Sequence, residues 1–321
     1  MVQLILIGIG AGAATALLFA SVASGALISV VLFYLAPLPI LIAALGWSHW
    51  AALIAAVTAS VGLAVVFGGY FFIAFLVGIG LPAWWIGYLA LLARPGAGPT
   101  PDAIEWYPIG NLVVWAALIG ALIVIAAMLN VGADEETFRA NMRRGLERML
   151  RLGETAPGGP LPRVREPNRL VEFLIVALPA AAAILTTITN ILNLWLAARV
   201  VAVSGRLRRP MPDLSAMRFP VYAPLLLAIA LAASFASGLL GIGGGILAAS
   251  MLIAFAILGF AVLHAITRGI NSRLLMLGAI YAAMIVFGWP VLAMSLIGLA
   301  DTAFDIRGRV ARRRGGPPAR T

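Results

Sequence analysis

Apolar residues in this chain do not alternate, and they do not recur on one face. They run for about 20 positions at a time, the length that crosses a hydrocarbon core about 30 Å thick. Such runs cover residues 2–23, 25–46, 50–68, 70–93 and 108–131, then 170–200, 219–240, 246–267 and 274–303. Each is apolar all round, as a membrane span is and a surface helix is not. The pattern predicts an all-α fold, a polytopic transmembrane helical bundle of eight to ten spans. The first run lacks the basic flank of a cleaved signal and reads as the first membrane helix.

One segment differs in kind. In residues 134–152, Phe138, Met142, Leu146 and Met149 or Leu150 recur at helical spacing, while Arg139, Arg143, Arg144, Arg148 and Arg151 fill the other faces. Asp134 is placed to cap this helix, and Glu135–Arg139 and Glu147–Arg151 are spaced as ion pairs. An amphipathic basic helix of this kind is expected to lie on anionic lipid at the cytoplasmic face. A Pro/Gly-rich linker follows. The chain therefore divides into an N-terminal membrane half (1–131), the amphipathic helix and linker (132–169), a C-terminal membrane half (170–306) and a basic tail (307–321) expected to be disordered.

Turn residues subdivide the second half. One hairpin, 219–267, is expected to turn at Gly241–Gly245, unless those glycines serve close packing. Another, 274–303, is expected to turn near Gly288-Trp289-Pro290. Residues 170–200 carry Pro179 and basic flanks. A hairpin or a broken helix there keeps both flanks on one side of the membrane, whereas a single span separates them. Pro37 and Pro39 break or kink the second run.

Composition supports the membrane reading. The chain is 63% hydrophobic and 11% charged, against about 45–50% and about 25% in soluble domains. The formal charge is +10, and all 22 basic residues are arginine. Only Arg94 precedes residue 130; the others sit in loops and the tail, as the positive-inside rule requires. This places the C-terminus in the cytoplasm, at the plasma (inner) membrane. No aromatic-lined basic surface accompanies the charge, so no nucleic-acid partner is expected. There is no Cys and there are only two His, so neither a metal site nor a cofactor is expected.

Polar groups inside a membrane are costly, and each is a candidate for function. Thr186, Asn190 and Asn193 share one helix face and could bind a polar ligand, or bond neighbouring helices together. Asp301 and Asp305 lie four apart near the end of the last span, where they could bind a cation or move protons, or only form salt bridges. His264 stands four residues before Arg268 and could titrate near neutral pH. No Gly-x-Ser-x-Gly, Walker or Asp-rich prenyl-phosphate motif is present, so no enzyme is expected.

The segments NILNLWLAARVV and GRLRRPMPDL (190–214), LGFAVLHAITRG (258–269) and GWPVLAMSLIGLADTAFDIRGR (288–309) resemble the YybS-like family of bacterial membrane proteins, domain of unknown function 2232. That family is distantly similar in fold to the substrate-binding subunits of energy-coupling-factor transporters and to MreD. The resemblance implies a multi-span membrane protein and assigns no activity. It leaves two expectations. One is a small-molecule transporter or substrate-binding component that docks on an ATPase module. The other is a non-catalytic scaffold for envelope proteins.

Overall fold

The computed structural model describes residues 1–96, 104–155 and 167–313. The tip of the 94–107 loop, most of the linker before Pro167 and the end of the basic tail lie outside the described residues. The helices are α1 (Val2–Ala20), α2 (Leu27–Tyr34), α3 (Pro37–Gly46), α4 (His49–Phe67), α5 (Tyr70–Phe75), α6 (Leu81–Ala90), α7 (Ile109–Val131), α8 (Glu135–Thr155), α9 (Pro167–Val203), α10 (Ala223–Ser234), α11 (Gly238–Ile266), α12 (Arg273–Phe287), α13 (Pro290–Phe304) and α14 (Ile306–Arg313). Two short strands, β1 (Ala93–Pro95) and β2 (Ile104–Trp106), pair antiparallel. Arg94 and Glu105 face each other across them, and Arg94 Nε donates to Glu105 over 2.8 Å.

Seven of the described helical segments are long and apolar enough to span a membrane, while α10, α12 and α13 are apolar but shorter. Every count in the expected range of eight to ten crossings therefore needs at least one of the short helices. Large apolar side chains such as Val65, Leu225 and Ile285 are exposed, as lipid-facing residues are. This is an all-α polytopic membrane protein.

The chain forms two compact units. Unit 1 comprises Met1–Ala116, Ile188–Val221 and the chain from Ala254 onward; unit 2 comprises Ala117–Thr187 and Tyr222–Ile253. The core of unit 1 joins α3, α4 and α6 through small residues such as Ala44, Ala52, Ala55, Ala56 and Ala59, with Phe75 and Leu63 filling between them. Gly8 and Gly12 bring α1 against α4 so closely that a Cβ at Gly12 would lie 2.6 Å from the Ala55 carbonyl oxygen. Small residues permit this close approach between membrane helices. Pro37 opens α3 and separates it from α2.

In unit 2, α8 begins as expected: Asp134 Oδ1 accepts from the Thr137 N–H and Oδ2 from the Thr137 hydroxyl, each at 2.8 Å. The Glu135–Arg139 pair forms at 2.8 Å. The apolar stripe is not free for lipid, however. Phe138 and Leu146 are buried in a cluster with Met128 of α7 and with Val171 and Ile175 of α9. The stripe continues through Leu150, while Met149 stays exposed. Arg143 pairs with Glu172, whereas Arg144 and Arg148 are exposed. The side chain of Arg151 is outside the described region.

Three further points are decided by the structure. Residues 170–200 form neither a hairpin nor a broken helix: α9 runs continuously for 37 residues through Pro179. At 1.5 Å per residue it is about 55 Å long, enough to cross a membrane once with turns to spare. Second, the bend between α10 and α11 falls at Gly238, which takes a φ of 76°, and Gly241–Gly245 lie inside α11. Gly244 is there for close packing, since a Cβ would come within 2.5 Å of the Ser234 nitrogen. Third, the start of the basic tail is ordered as α14. The α12–α13 turn falls where the sequence puts it, with Gly288 at a φ of 70°.

Candidate functional site

A cavity of about 750 Å³ lies within unit 1. It is built from the start of α7, the second half of α9, the 204–222 loop, the end of α11 and Tyr281 of α12. On α9, Ile191, Leu194, Trp195 and Ala198 line it at i, i+3, i+4 and i+7, one helical face. Leu112, Val113 and Ala116 of α7 and Ala261 of α11 supply buried apolar wall opposite the same space.

Two kinds of polar group interrupt this wall. Asn190 is 6% exposed and lines the cavity, and its Nδ2 has no hydrogen-bond partner. The more exposed end carries Arg209, Asp213, His264, Arg268, Arg273 and Tyr281. Here His264 Nε2 and the Tyr281 hydroxyl are 2.8 Å apart, and Arg273 Nη2 is 3.5 Å from His264 Nδ1. Arg268 reaches both carboxylate oxygens of Asp213 at 3.3 Å. Arg209 donates to the Ala90 carbonyl oxygen at 3.3 Å, and its burial pushes its pKa down.

The hydroxyl of Ser215 holds the Asp213 carboxyl below its ordinary range; slight burial opposes this, and the Ser215 N–H and Arg268 assist. A depressed carboxylate contributes stability above its unfolded pKa and loses it as pH falls through the lower, folded value. Ser215→Ala is therefore expected to move the acid loss of the Arg268–Asp213 contact to higher pH. The pH dependence of the unfolding temperature would show it, as a small shift on a half-exposed pair.

The other candidates lie elsewhere. Asn193 is fully buried, and its Nδ2 donates at 2.8 Å to the Tyr34 and Thr189 carbonyl oxygens, fastening α9 to the end of α2. Thr186 belongs to unit 2, and its hydroxyl bonds back to the Ala182 carbonyl oxygen. Its neighbour Thr187 is the buried one, with its hydroxyl 3.3 Å from Ser250. Asp301 is locked to Arg307, whose Nε and Nη2 donate to Asp301 Oδ2 at 3.0 and 2.7 Å. Asp305 occupies a left-handed conformation between α13 and α14, with Arg218 at 3.2 Å and Arg312 at 3.7 Å.

Of the six ligand candidates, the cavity thus gathers Asn190 and His264. It adds Arg209, Asp213, Arg273 and Tyr281, which sequence reading missed as a group. Arg273 was visible only as a loop charge and Arg268 only by its spacing from His264, and nothing in the spacing joins residue 213 to residue 268.

A model of the family described as "Predicted membrane protein (DUF2232)" matches residues 13–302. No curated protein and no solved structure matches the chain.

Proposed function

The chain belongs to the DUF2232 family of predicted membrane proteins, and on that footing we propose that it binds a small molecule in the unit 1 cavity as a transporter or substrate-binding component. The observation that carries this is the Asn190 amide. It is buried against a cavity whose volume of about 750 Å³ falls within the range of about 300–1,000 Å³ for small-molecule pockets. A buried donor without a partner costs about 1–3 kcal/mol, a cost that a ligand acceptor would remove. The reading is of binding and passage, not of catalysis, in a plasma membrane with the C-terminus on the cytoplasmic side. Energy would come from an ATPase partner.

Asn190→Leu tests it. The change keeps the branched shape and removes the amide. We expect stability to hold or rise by about 1 kcal/mol, while small-molecule adducts seen by native mass spectrometry of the purified chain weaken about tenfold. A variant that loses stability and keeps every adduct would make Asn190 a packing residue and sink the assignment. A scaffold role would rest instead on the exposed Arg144 and Arg148 of α8. In that case, proteins co-purified with the tagged chain would be lost when both are changed to glutamine.

A further inference from the structure

We propose that the ligand of this cavity is an amphiphile with one anionic head, a phosphate or carboxylate, on a single apolar body. This rests on the reading of the cavity as a binding site and adds the chemistry of its occupant.

The wall decides the body. The α7, α9 and α11 residues that face the space are apolar except Asn190 and, at the polar end, His264, so most of any occupant must be apolar too.

The polar end decides the head. Three arginines and one carboxylate, Asp213, line the cavity, which leaves two positive charges in excess. Asp213 is committed to Arg268. Arg209 and Arg273 have no carboxylate within ion-pair distance among the described residues. Arg209 has one hydrogen bond, to a main-chain carbonyl, and Arg273 has a long contact to His264. Arg209 is also half-buried, so water cannot fully solvate its charge. Guanidinium groups present planar forks that fit carboxylate and phosphate oxygens. The His264–Tyr281 pair stands beside them and adds further polar atoms to the same end. Lipid-facing arginines that served only topology would have no reason to converge on an apolar cavity from the 204–222 loop and from both sides of the α11–α12 turn.

The head could belong to a membrane phospholipid or to a free amphiphilic acid. The chemistry is shared, and the test separates the sources.

The full chain is reconstituted in phosphatidylcholine nanodiscs and titrated with octyl phosphate and with octanol, which share a tail and differ in the head. We expect octyl phosphate to bind at least about tenfold more tightly than octanol. We expect Arg209→Gln and Arg273→Gln each to erase most of that difference while leaving octanol unchanged. Competition by phosphatidylglycerol doped into the disc would identify the lipid as the source; indifference to it would identify a free acid. Either outcome supports the anionic head. If octanol binds as tightly as octyl phosphate and Ala261→Phe abolishes both, the charge inference is overturned and the cavity still stands as a binding site. If neither probe binds and Ala261→Phe changes nothing, both readings fall. The comparison of two probes on the unaltered chain stands even where a variant folds poorly.

Discussion

Arg307→Met is expected to cost about 3–5 kcal/mol of stability, the typical loss when one partner of a buried ion pair is removed. The side chains of Arg307 and Asp301 are only 10% and 4% exposed. Arg307 donates to Asp301 Oδ2 through two nitrogens, and also to the carbonyl oxygens of Ser215 and Met217, each at 2.7 Å. Its own N–H reaches Asp301 Oδ1 at 3.0 Å. Methionine would fill the space and leave a buried carboxylate and two carbonyls short of donors. The double change Asp301→Leu with Arg307→Met removes both charges and should recover a good part of the loss. Thermal unfolding of the purified chain in detergent compares the two. Equal, small losses in single and double variants would mean that water reaches the pair. The clamp also bears on the cavity, since Ser215 and Met217 line it. The single variant should therefore weaken ligand binding without any contact between Arg307 and the ligand.

This clamp shows what could be read in advance. That Asp301 and Asp305 share a face follows from their spacing, and Asp301 is the deeper of the two. What Asp301 does depends on Arg307 lying beyond a left-handed residue at 305 and on a loop some 90 positions earlier in the chain, at Ser215 and Met217. A local pattern carries no such information. The spans and the α8 cap were legible because they depend on run length and on residues three apart. Continuity of α9 was not. A proline in a soluble helix is a break, but within a membrane the apolar run and its neighbours sustain the helix through Pro179. The basic flanks pulled the other way at the same place, because a single span separates them. Asn190 and Asn193 are three apart and looked equivalent on a helical wheel. They part because each meets a different neighbour: the cavity for Asn190, the end of α2 for Asn193.

Gly298→Ala is expected to be as damaging as a change of one methyl group can be. A Cβ at Gly298 would sit 2.1 Å from the Phe255 carbonyl oxygen and 2.9 Å from the Gly259 nitrogen. A Cβ at Gly259 would in turn sit 1.9 Å from the Met294 carbonyl oxygen. Residues 255 and 259 of α11 and 294 and 298 of α13 thus interlock main chain against main chain, the approach that small residues permit between membrane helices. Alanine gains about 1 kcal/mol over glycine in helix propensity. Against it stands overpacking of about 1–3 kcal/mol, and more where no side chain can move aside. Here the obstacle is backbone, so the helices must separate, and a net loss of about 2 kcal/mol or more should follow. Gly278 in α12 and Gly10 in α1 have nothing within 4 Å of a Cβ. Alanine there should be neutral, or stabilise by up to about 1 kcal/mol. Unfolding temperatures of the Gly298, Gly278 and Gly10 alanine variants measured together test the sign at each site. The consequence reaches the binding site, because α11 carries both Phe255 and the cavity-lining Ala261 and His264. Pushing α11 off α13 displaces that wall. Gly298→Ala should thus weaken octyl phosphate and octanol alike, whereas Arg273→Gln should weaken octyl phosphate alone. A Gly298 variant that kept both affinities and its unfolding temperature would show that the two helices can slide apart without disturbing the cavity.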